Sequence, residues 1–149
     1  MKKLILGITL LAPMLQAQQT LSTLVDRNRV LLVFAPTALD NRYGEQLDSF
    51  NHHEADLRAR DVLVIPLIQQ PGPPNLSPTL RALQPPRISD DEQLAIRRRF
   101  HIAASEFAVV LLGKDGGEKL RATTPITAAR LNRTIDAMPM RQQEMRKHP

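Results

Sequence analysis

The chain has 149 residues, a formal net charge of +5 and no cysteine. Its length suits a single domain with a hydrophobic core of its own. Without cysteine it carries neither a disulfide nor a thiolate, so reactions that need a thiol nucleophile are excluded. The positive charge is mild, which indicates weak attraction to small anions rather than a nucleic-acid partner.

Residues 1–17 have the order of a secretory signal peptide. Two lysines supply the charged start, an apolar stretch runs from Leu4 to Ala12, and cleavage is expected after Ala17. The apolar stretch is shorter than the roughly 20 residues needed to cross a bilayer. We therefore expect a periplasmic or secreted protein with no membrane span after signal removal, and a single mature domain formed by residues 18–149.

A buried strand and a helix are predicted next. The run Val30–Phe34 is apolar throughout, as in a strand covered on both faces, and Pro36 is expected to end it. Thr37 and Asp40 have the spacing of a capping box, so the helix is predicted to begin with Thr37 as its N-cap. The apolar face of this helix is a stripe at helical spacing: Leu39, Tyr43, Leu47, Phe50 and Leu57.

Val62–Ile68 is a second strand with two apolar faces, and the order strand, helix, strand predicts a right-handed parallel crossover. Pro66 lacks an N–H donor, which places this strand at an edge of the sheet. Residues 69–88 contain six prolines and are interpreted as an insertion. We expect this insertion to border the end of the first strand near Pro36–Asp40, either as a fixed cover or as a lid.

The second half of the chain begins with another capping box, Ser89–Glu92, which predicts a helix through Arg99. Phe107–Leu112 and a return strand to about Ala122 form a predicted hairpin. The segment that contains the turn, Lys114–Lys119, invites comparison with a phosphate-binding loop. It lacks the spacing and the following helix of such a loop, so a tight Asp-Gly turn is the preferred interpretation.

A last helix is expected to start near Thr124 or Thr127, to stop before Pro139, and to bury Ala128, Leu131 and Ile135. The basic tail, residues 141–149, is expected to be frayed and flexible. Together these elements predict an α/β fold. Its small mixed sheet combines a parallel β-α-β unit with an antiparallel hairpin and is flanked by helices.

This order of elements is that of the thioredoxin fold. Residues 34–50, FAPTALDNRYGEQLDSF, also resemble the peroxiredoxin segment in which a proline precedes a threonine and the peroxidatic cysteine. On that pattern Pro36 matches the proline, Asp40 the threonine and Tyr43 the cysteine. Ser105–Glu106 stands where thioredoxins keep a cis-proline. The chain thus resembles a thioredoxin-like protein that lacks the thiol.

Three segments resemble the hallmarks of a family of short, secreted bacterial proteins known as domain of unknown function 4174, which is related to thioredoxin-like domains. The segments are residues 28–36 (NRVLLVFAP), 107–121 (FAVVLLGKDGGEKLR) and 135–145 (IDAMPMRQQEM). The family has no established activity. The resemblance therefore implies a fold and export, but no catalytic residue and no cofactor.

Two surfaces are candidates for binding. The junction at the start of the first helix is interpreted as a polar mouth, with Thr37, Asp40 and Arg42 as binding residues, because free backbone donors at a helix start can bind anions. In the tail, methionines surround a proline that follows a helix. Such methionines often fill gaps beneath a sheet, but the resemblance of this tail to a family hallmark makes Met140 and Arg141 a candidate contact surface.

Two charged segments are interpreted as solvated. His52 and Asp56 are four residues apart on a predicted helix and could share a metal ion, but a solvated helix face is preferred and no metal is expected. Residues 97–99, three arginines at a helix end, are interpreted as solvated charges that interact favourably with the helix dipole. The alternative for these arginines is an anion or partner site.

These observations predict an exported, non-catalytic binding module whose partner is an envelope protein or a small anionic ligand. The alternative is a periplasmic enzyme with non-thiol chemistry at the mouth near Pro36–Asp40. Polar groups that converge in a pocket there would favour the enzyme. A flat, exposed apolar patch near the methionine-rich tail would favour the module.

Overall fold

The computed structural model describes residues 21–70, 83 and 88–147. Its sheet has four strands in the order β2-β1-β3-β4. The strands are β1 (Arg29–Thr37), β2 (Val62–Gln70), β3 (Ala108–Leu112) and β4 (Glu118–Ala122). β1 pairs in parallel with β2, whereas the β1–β3 and β3–β4 pairs are antiparallel. The predicted α/β fold, with a parallel unit and an antiparallel hairpin, is confirmed.

Five helices are described with complete bounds: α1 (Asn41–Asp48), α2 (Glu54–Ala59), α3 (Asp90–Phe100), α4 (Ala128–Asp136) and α5 (Pro139–Lys147). Residues 21–25 are helical as well. None of the helices in the described ranges is long and apolar enough to cross a membrane. The predicted signal peptide and most of the proline-rich insertion, residues 71–82 and 84–87, lie outside the described residues.

The central strand β1 separates two hydrophobic cores. Its side chains point alternately to the two faces of the sheet, so every second residue belongs to the same core. One core contains Leu31, Val33 and Ala35 together with residues of α1, α2 and α4. The other contains Val30, Leu32 and Phe34 together with residues of α3 and the N-terminal helical segment. The continuous apolar run is therefore a strand covered on both faces, as predicted.

The turn after β1 differs from the prediction. Pro36 does not end the strand, because β1 continues to Thr37, which pairs with Gln70 of β2. The N-cap of α1 is Asp40, whose carboxylate accepts from the backbone N–H of Arg42 at 2.9 Å. The prediction of Thr37 as N-cap is wrong, since Thr37 belongs to the strand and lies four residues before the first residue of the helix.

The predicted single helix after β1 is broken into α1 and α2. His52 lies between them with φ of 68°, a left-handed conformation that cannot continue an α-helix. Most of the predicted stripe is buried nonetheless, namely Tyr43, Leu47, Phe50 and Leu57. Leu39 is the exception, because it precedes the helix and its side chain is 81% exposed.

β2 lies at one edge of the sheet, as its proline predicted. The backbone N–H of Val64 points away from β1 and donates to the carbonyl of Leu83 at 3.3 Å. Residues two apart in a strand direct their backbone groups to the same side, so the nitrogen of Pro66 also faces outwards and no bond to β1 is lost. Leu83 is buried against this edge.

In the second half of the chain, the structure agrees with most of the predictions made from the sequence. Ser89 and Glu92 form the predicted capping box at the start of α3. Thr127 is the N-cap of α4, whose predicted buried residues are Ala128, Leu131 and Ile135. Gly116 has φ of 74°, as a tight hairpin turn requires. The tail, expected to be frayed, is instead helical up to Lys147.

Candidate functional site

The predicted mouth lies where β1 ends, α1 starts and β3 begins. Asp40 and Arg42 form a two-point ion pair, with Arg42 Nη2 2.7 Å from Asp40 Oδ2 and Arg42 Nε 3.0 Å from Oδ1. The guanidinium also lies over the ring of Phe107, 5.3 Å from its centroid. Thr37 Oγ1 accepts from the backbone N–H of Leu39 at 3.2 Å. Each predicted mouth residue therefore has a local partner.

The pKa values of three groups at the mouth are shifted further from neutral pH than their ordinary values. The hydrogen bond from Arg42 lowers the pKa of Asp40 below its ordinary value of 3.8, and Asp40 in turn raises the pKa of Arg42. Burial raises the pKa of Tyr43 to about 12. Tyr43, the residue matched to the peroxidatic cysteine in the sequence comparison, is a core ring that stays protonated at neutral pH.

A second constellation, which the sequence did not predict, lies at the opposite end of the sheet. Arg29 opens β1 and is only 1% exposed. Its Nη1 donates to the carbonyl of Arg60 at 2.9 Å, and its Nη2 lies 3.1 and 3.2 Å from the two carboxylate oxygens of Glu144 in α5. Lys114, from the hairpin turn, contacts both Glu144 and Asp61 at 2.8 Å.

We call this set, with Arg141, the charge cluster: Arg29, Asp61, Lys114, Arg141 and Glu144. Desolvation by burial acts to raise the pKa of Glu144, but the hydrogen bonds from Lys114 and Arg29 outweigh it and lower the pKa to about 2. An open cleft of about 420 Å³ adjoins the cluster, lined by Ala59, Asp61, Lys114, Arg141, Glu144 and Met145. Glu144 is thus ionised and held between two cations at neutral pH.

The charge cluster joins the three segments whose resemblance to family hallmarks was noted in the sequence. Residues 28–36 supply Arg29, residues 107–121 supply Lys114, and residues 135–145 supply Arg141 and Glu144. Arg29 and Glu144 are 115 positions apart, so no local pattern links them. One signal in the sequence was the position of Arg29 and Asp61 at the start of two parallel strands. Paired parallel strands start at the same end of a sheet, so these two residues lie close together.

The two residues of the candidate contact surface in the tail differ in exposure. Met140 is 48% exposed and remains available for contact. The side chain of Arg141 is largely covered, and it forms ion pairs with Asp136 at 3.6 Å and Glu144 at 3.4 Å. Arg141 therefore contributes to the attachment of α5.

The interpretation of Arg97 as a solvated charge is wrong. Its side chain is buried, and it donates to the carbonyls of Ala35 at 2.7 Å, Leu67 at 2.9 Å and Ala103 at 2.9 Å. Burial lowers the pKa of Arg97. The guanidinium links the ends of β1 and β2 to the loop after α3. Arg98 and Arg99 are exposed, as expected.

The histidine segment shows a different pairing from the one considered. His53, rather than His52, lies 3.2 Å from Asp56. Over the residues the structure describes, no group of three or more histidine or acidic side chains is arranged to hold a metal ion.

The fold defines the class of this protein: a thioredoxin-like domain, here with a sequence that contains no cysteine. Residues 20–144 match the family described as Domain of unknown function (DUF4174), and the chain belongs to that family. The resemblance noted in the sequence is confirmed.

The chain is also similar in sequence to one region of longer proteins. The rat sushi repeat-containing protein SRPX (Rattus norvegicus) is 30% identical over 130 residues, which cover 87% of this chain and 27% of that protein. The chain thus spans about a quarter of the curated relatives it matches.

Two solved structures are similar in fold. They are the reduced 2-Cys peroxiredoxin of Plasmodium vivax, with a TM-score of 0.54 and 16% identity over 86% of this chain and 85% of that one, and StoA from Bacillus subtilis, with a TM-score of 0.50 and 15% identity over 72% and 82%. At these identities the likeness concerns the fold alone.

Proposed function

We propose that this chain is an exported, non-catalytic binding module built on the thioredoxin-like fold. The observation that carries the proposal is the chemistry of the mouth. Where a related redox protein would hold a thiolate, this chain holds a buried tyrosine, and the sequence contains no cysteine. Asp40, Arg42 and Tyr43 all have pKa values moved away from neutrality, which disfavours general acid–base catalysis there.

The mouth supports protein binding better than anion binding. The carboxylate of Asp40 already accepts from the backbone N–H of Arg42 in the first turn of α1, so a bound anion would meet a negative charge. Beside this carboxylate, the side chain of Leu39 is 81% exposed, and that of Arg42 is 43% exposed. Arginine is enriched at protein interfaces, so Arg42 beside the exposed Leu39 supports a protein contact at the mouth.

Export and modularity are parts of the same proposal. Residues 1–17 have signal-peptide order, which supports transfer to the periplasm or beyond. The rat relative is a sushi repeat-containing protein of which the matched region is about a quarter, so this type of domain is one part of a larger chain there. That arrangement supports a role in interaction, with an envelope protein as the partner of this chain.

A photo-crosslinking residue placed at position 39 tests the proposal in the cell that produces the protein. We expect one main protein adduct from Leu39 and none from the control position Arg133, an exposed residue of α4. Excess unlabelled wild-type protein should suppress the adduct, whereas a Leu39→Asp protein should not. Equal adducts from both positions would contradict binding at the mouth.

N-terminal sequencing of the protein from the envelope fraction tests export. The mature sequence should begin at Gln18.

A further inference from the structure

Charge holds α5 to the rest of the domain. None of its nine residues is buried, and both of its methionines are exposed. A helix of this length is marginal in water by itself, so tertiary contacts must stabilise it. The contacts are ion pairs: Glu144 with Arg29 and Lys114, and Arg141 with Asp136 of the preceding helix.

The cations and the carboxylate of this attachment come from different parts of the fold. Arg29 and Lys114 belong to the sheet and its hairpin, whereas Glu144 comes from the chain end. Lys114 has Asp61 as a second carboxylate partner. In the described part of the chain, Glu144 is the carboxylate that pairs with the buried Arg29, which also donates to the carbonyl of Arg60. A buried cation that loses its partner is strongly unfavourable, so this site requires a carboxylate.

We propose that Arg29 and Lys114 form a binding site for the carboxylates of an acidic partner segment. In this proposal α5 is a strap that fills the site with Glu144 until such a segment displaces it. The cations belong to the sheet and its hairpin turn, and the internal carboxylate lies on a helix with no buried residue. Exchange of one carboxylate for another then requires that α5 lift.

The surroundings favour an extended peptide segment as the occupant. Lys114 lines the open cleft of about 420 Å³ and also a second cleft of about 360 Å³, whose lining includes Leu21, Val25 and Leu112. A segment that places a carboxylate on Lys114 therefore has room on both sides of it. The positive net charge of the chain is complementary to an acidic segment. The site is at the opposite end of β1 from the mouth and does not depend on binding there.

Hydrogen exchange of the purified protein tests the displacement directly, with synthetic hexaglutamate as probe and uncharged hexaglutamine as control. We expect hexaglutamate to accelerate exchange in α5 at least tenfold and to leave β1 unchanged, and hexaglutamine to change neither. Protection of α5 that persists at millimolar hexaglutamate overturns the proposal. Sodium formate at equal carboxylate concentration separates the sources: displacement as effective as that by hexaglutamate would show a site for small carboxylates and refute a partner segment.

A pair of matched variants tests the competition. Glu144→Gln removes the internal carboxylate and should bind labelled hexaglutamate at least tenfold more tightly than wild type, whereas Glu45→Gln, an equal charge change at an exposed position of α1, should not. Adding Lys114→Gln to Glu144→Gln should abolish the gain. Equal affinity of wild type and Glu144→Gln, or a gain that survives Lys114→Gln, contradicts the proposal. If Glu144→Gln does not fold, the exchange experiment on wild type decides.

Discussion

The burial of one arginine among three in sequence leads to a sharp prediction. Arg97 and Arg98 are neighbours on α3, but the first is 3% exposed with three carbonyl partners and the second is exposed. Replacement of each by methionine keeps a long, unbranched side chain with good helix propensity. The two variants therefore differ mainly in what the guanidinium contacts.

The expected magnitude follows from those contacts. Arg97→Met leaves three carbonyls without their donor, and an unpaired buried polar group costs about 1–3 kcal/mol. Arg97 also lines an open cleft of about 380 Å³, so water can reach the site and the lower end applies, about 3 kcal/mol in all. Burial of the methionine side chain and relief of the desolvated cation return about 1 kcal/mol. The net loss is about 2 kcal/mol.

Urea unfolding followed by circular dichroism measures this loss. With a slope of about 2 kcal/mol per molar urea, the midpoint of Arg97→Met should fall by about 1 M. Arg98→Met should stay within about 0.5 kcal/mol of wild type, as expected for an exposed position. Arg97→Lys should fall between them, because an ammonium group does not reproduce the planar guanidinium geometry. Equal stability of Arg97→Met and Arg98→Met would refute the structural role of Arg97.

Four further predictions follow. The purified protein should show neither peroxidase nor insulin-reducing activity, and thiol-alkylating reagents should leave its mass unchanged; robust thiol-dependent turnover would contradict this, since the sequence has no cysteine. Asp40→Ala should lower the free energy of unfolding by about 1 kcal/mol through loss of the N-cap, and Thr37→Ala by clearly less; the reverse order in urea unfolding would restore Thr37 as the cap. The pKa of Glu144 is lowered from 4.5 to about 2, so its contribution is present above pH 4.5 and lost as the pH falls towards 2. Glu144→Gln should therefore cost about 2 kcal/mol at pH 7, after allowance for partial exposure, and the difference from wild type should shrink between pH 5 and pH 2; a pH-independent difference would exclude the ion pairs as its cause. Gly44→Ala should raise the unfolding temperature, because glycine inside a helix costs about 1 kcal/mol and, apart from its own stretch of helix, the added methyl group meets no atom within 4 Å; a lowered temperature would show strain at that position.

The strands were predictable because their information is local. Each buried strand is a continuous apolar run, and Pro66 marked the edge strand by the donor it lacks. The caps of α3 and α4 were also predictable, since an N-cap side chain and the backbone N–H that donates to it lie within four residues of each other. The start of α1 was harder to predict, because Thr37 and Asp40, three residues apart, are both suited to the N-cap position. The pairing of Thr37 with Gln70 of β2, a tertiary contact, decided between them.

The charged sites were harder to predict because the partners of their side chains are set by tertiary contacts. Ile96 and Phe100 share the inward face of α3, and this helix phase places Arg97 nearer the core than Arg98, a signal that the run of identical residues obscured. Glu144 has no such local signal. Its partners come from the start of β1 and from a hairpin turn, so its role depends on the assembled sheet.

The edges of the sheet bear on how the domain behaves in crowded surroundings. An open strand edge is a template for pairing with other chains and so for aggregation. On the β2 side, Pro66 offers no donor and the N–H of Val64 is occupied by Leu83. On the β4 side, Glu118, Lys119 and Arg121 place charges along the strand. Both edges thus resist recruitment into a longer sheet. Copies of such a domain could lie side by side, or be fused to unrelated domains, without polymerising through their strands.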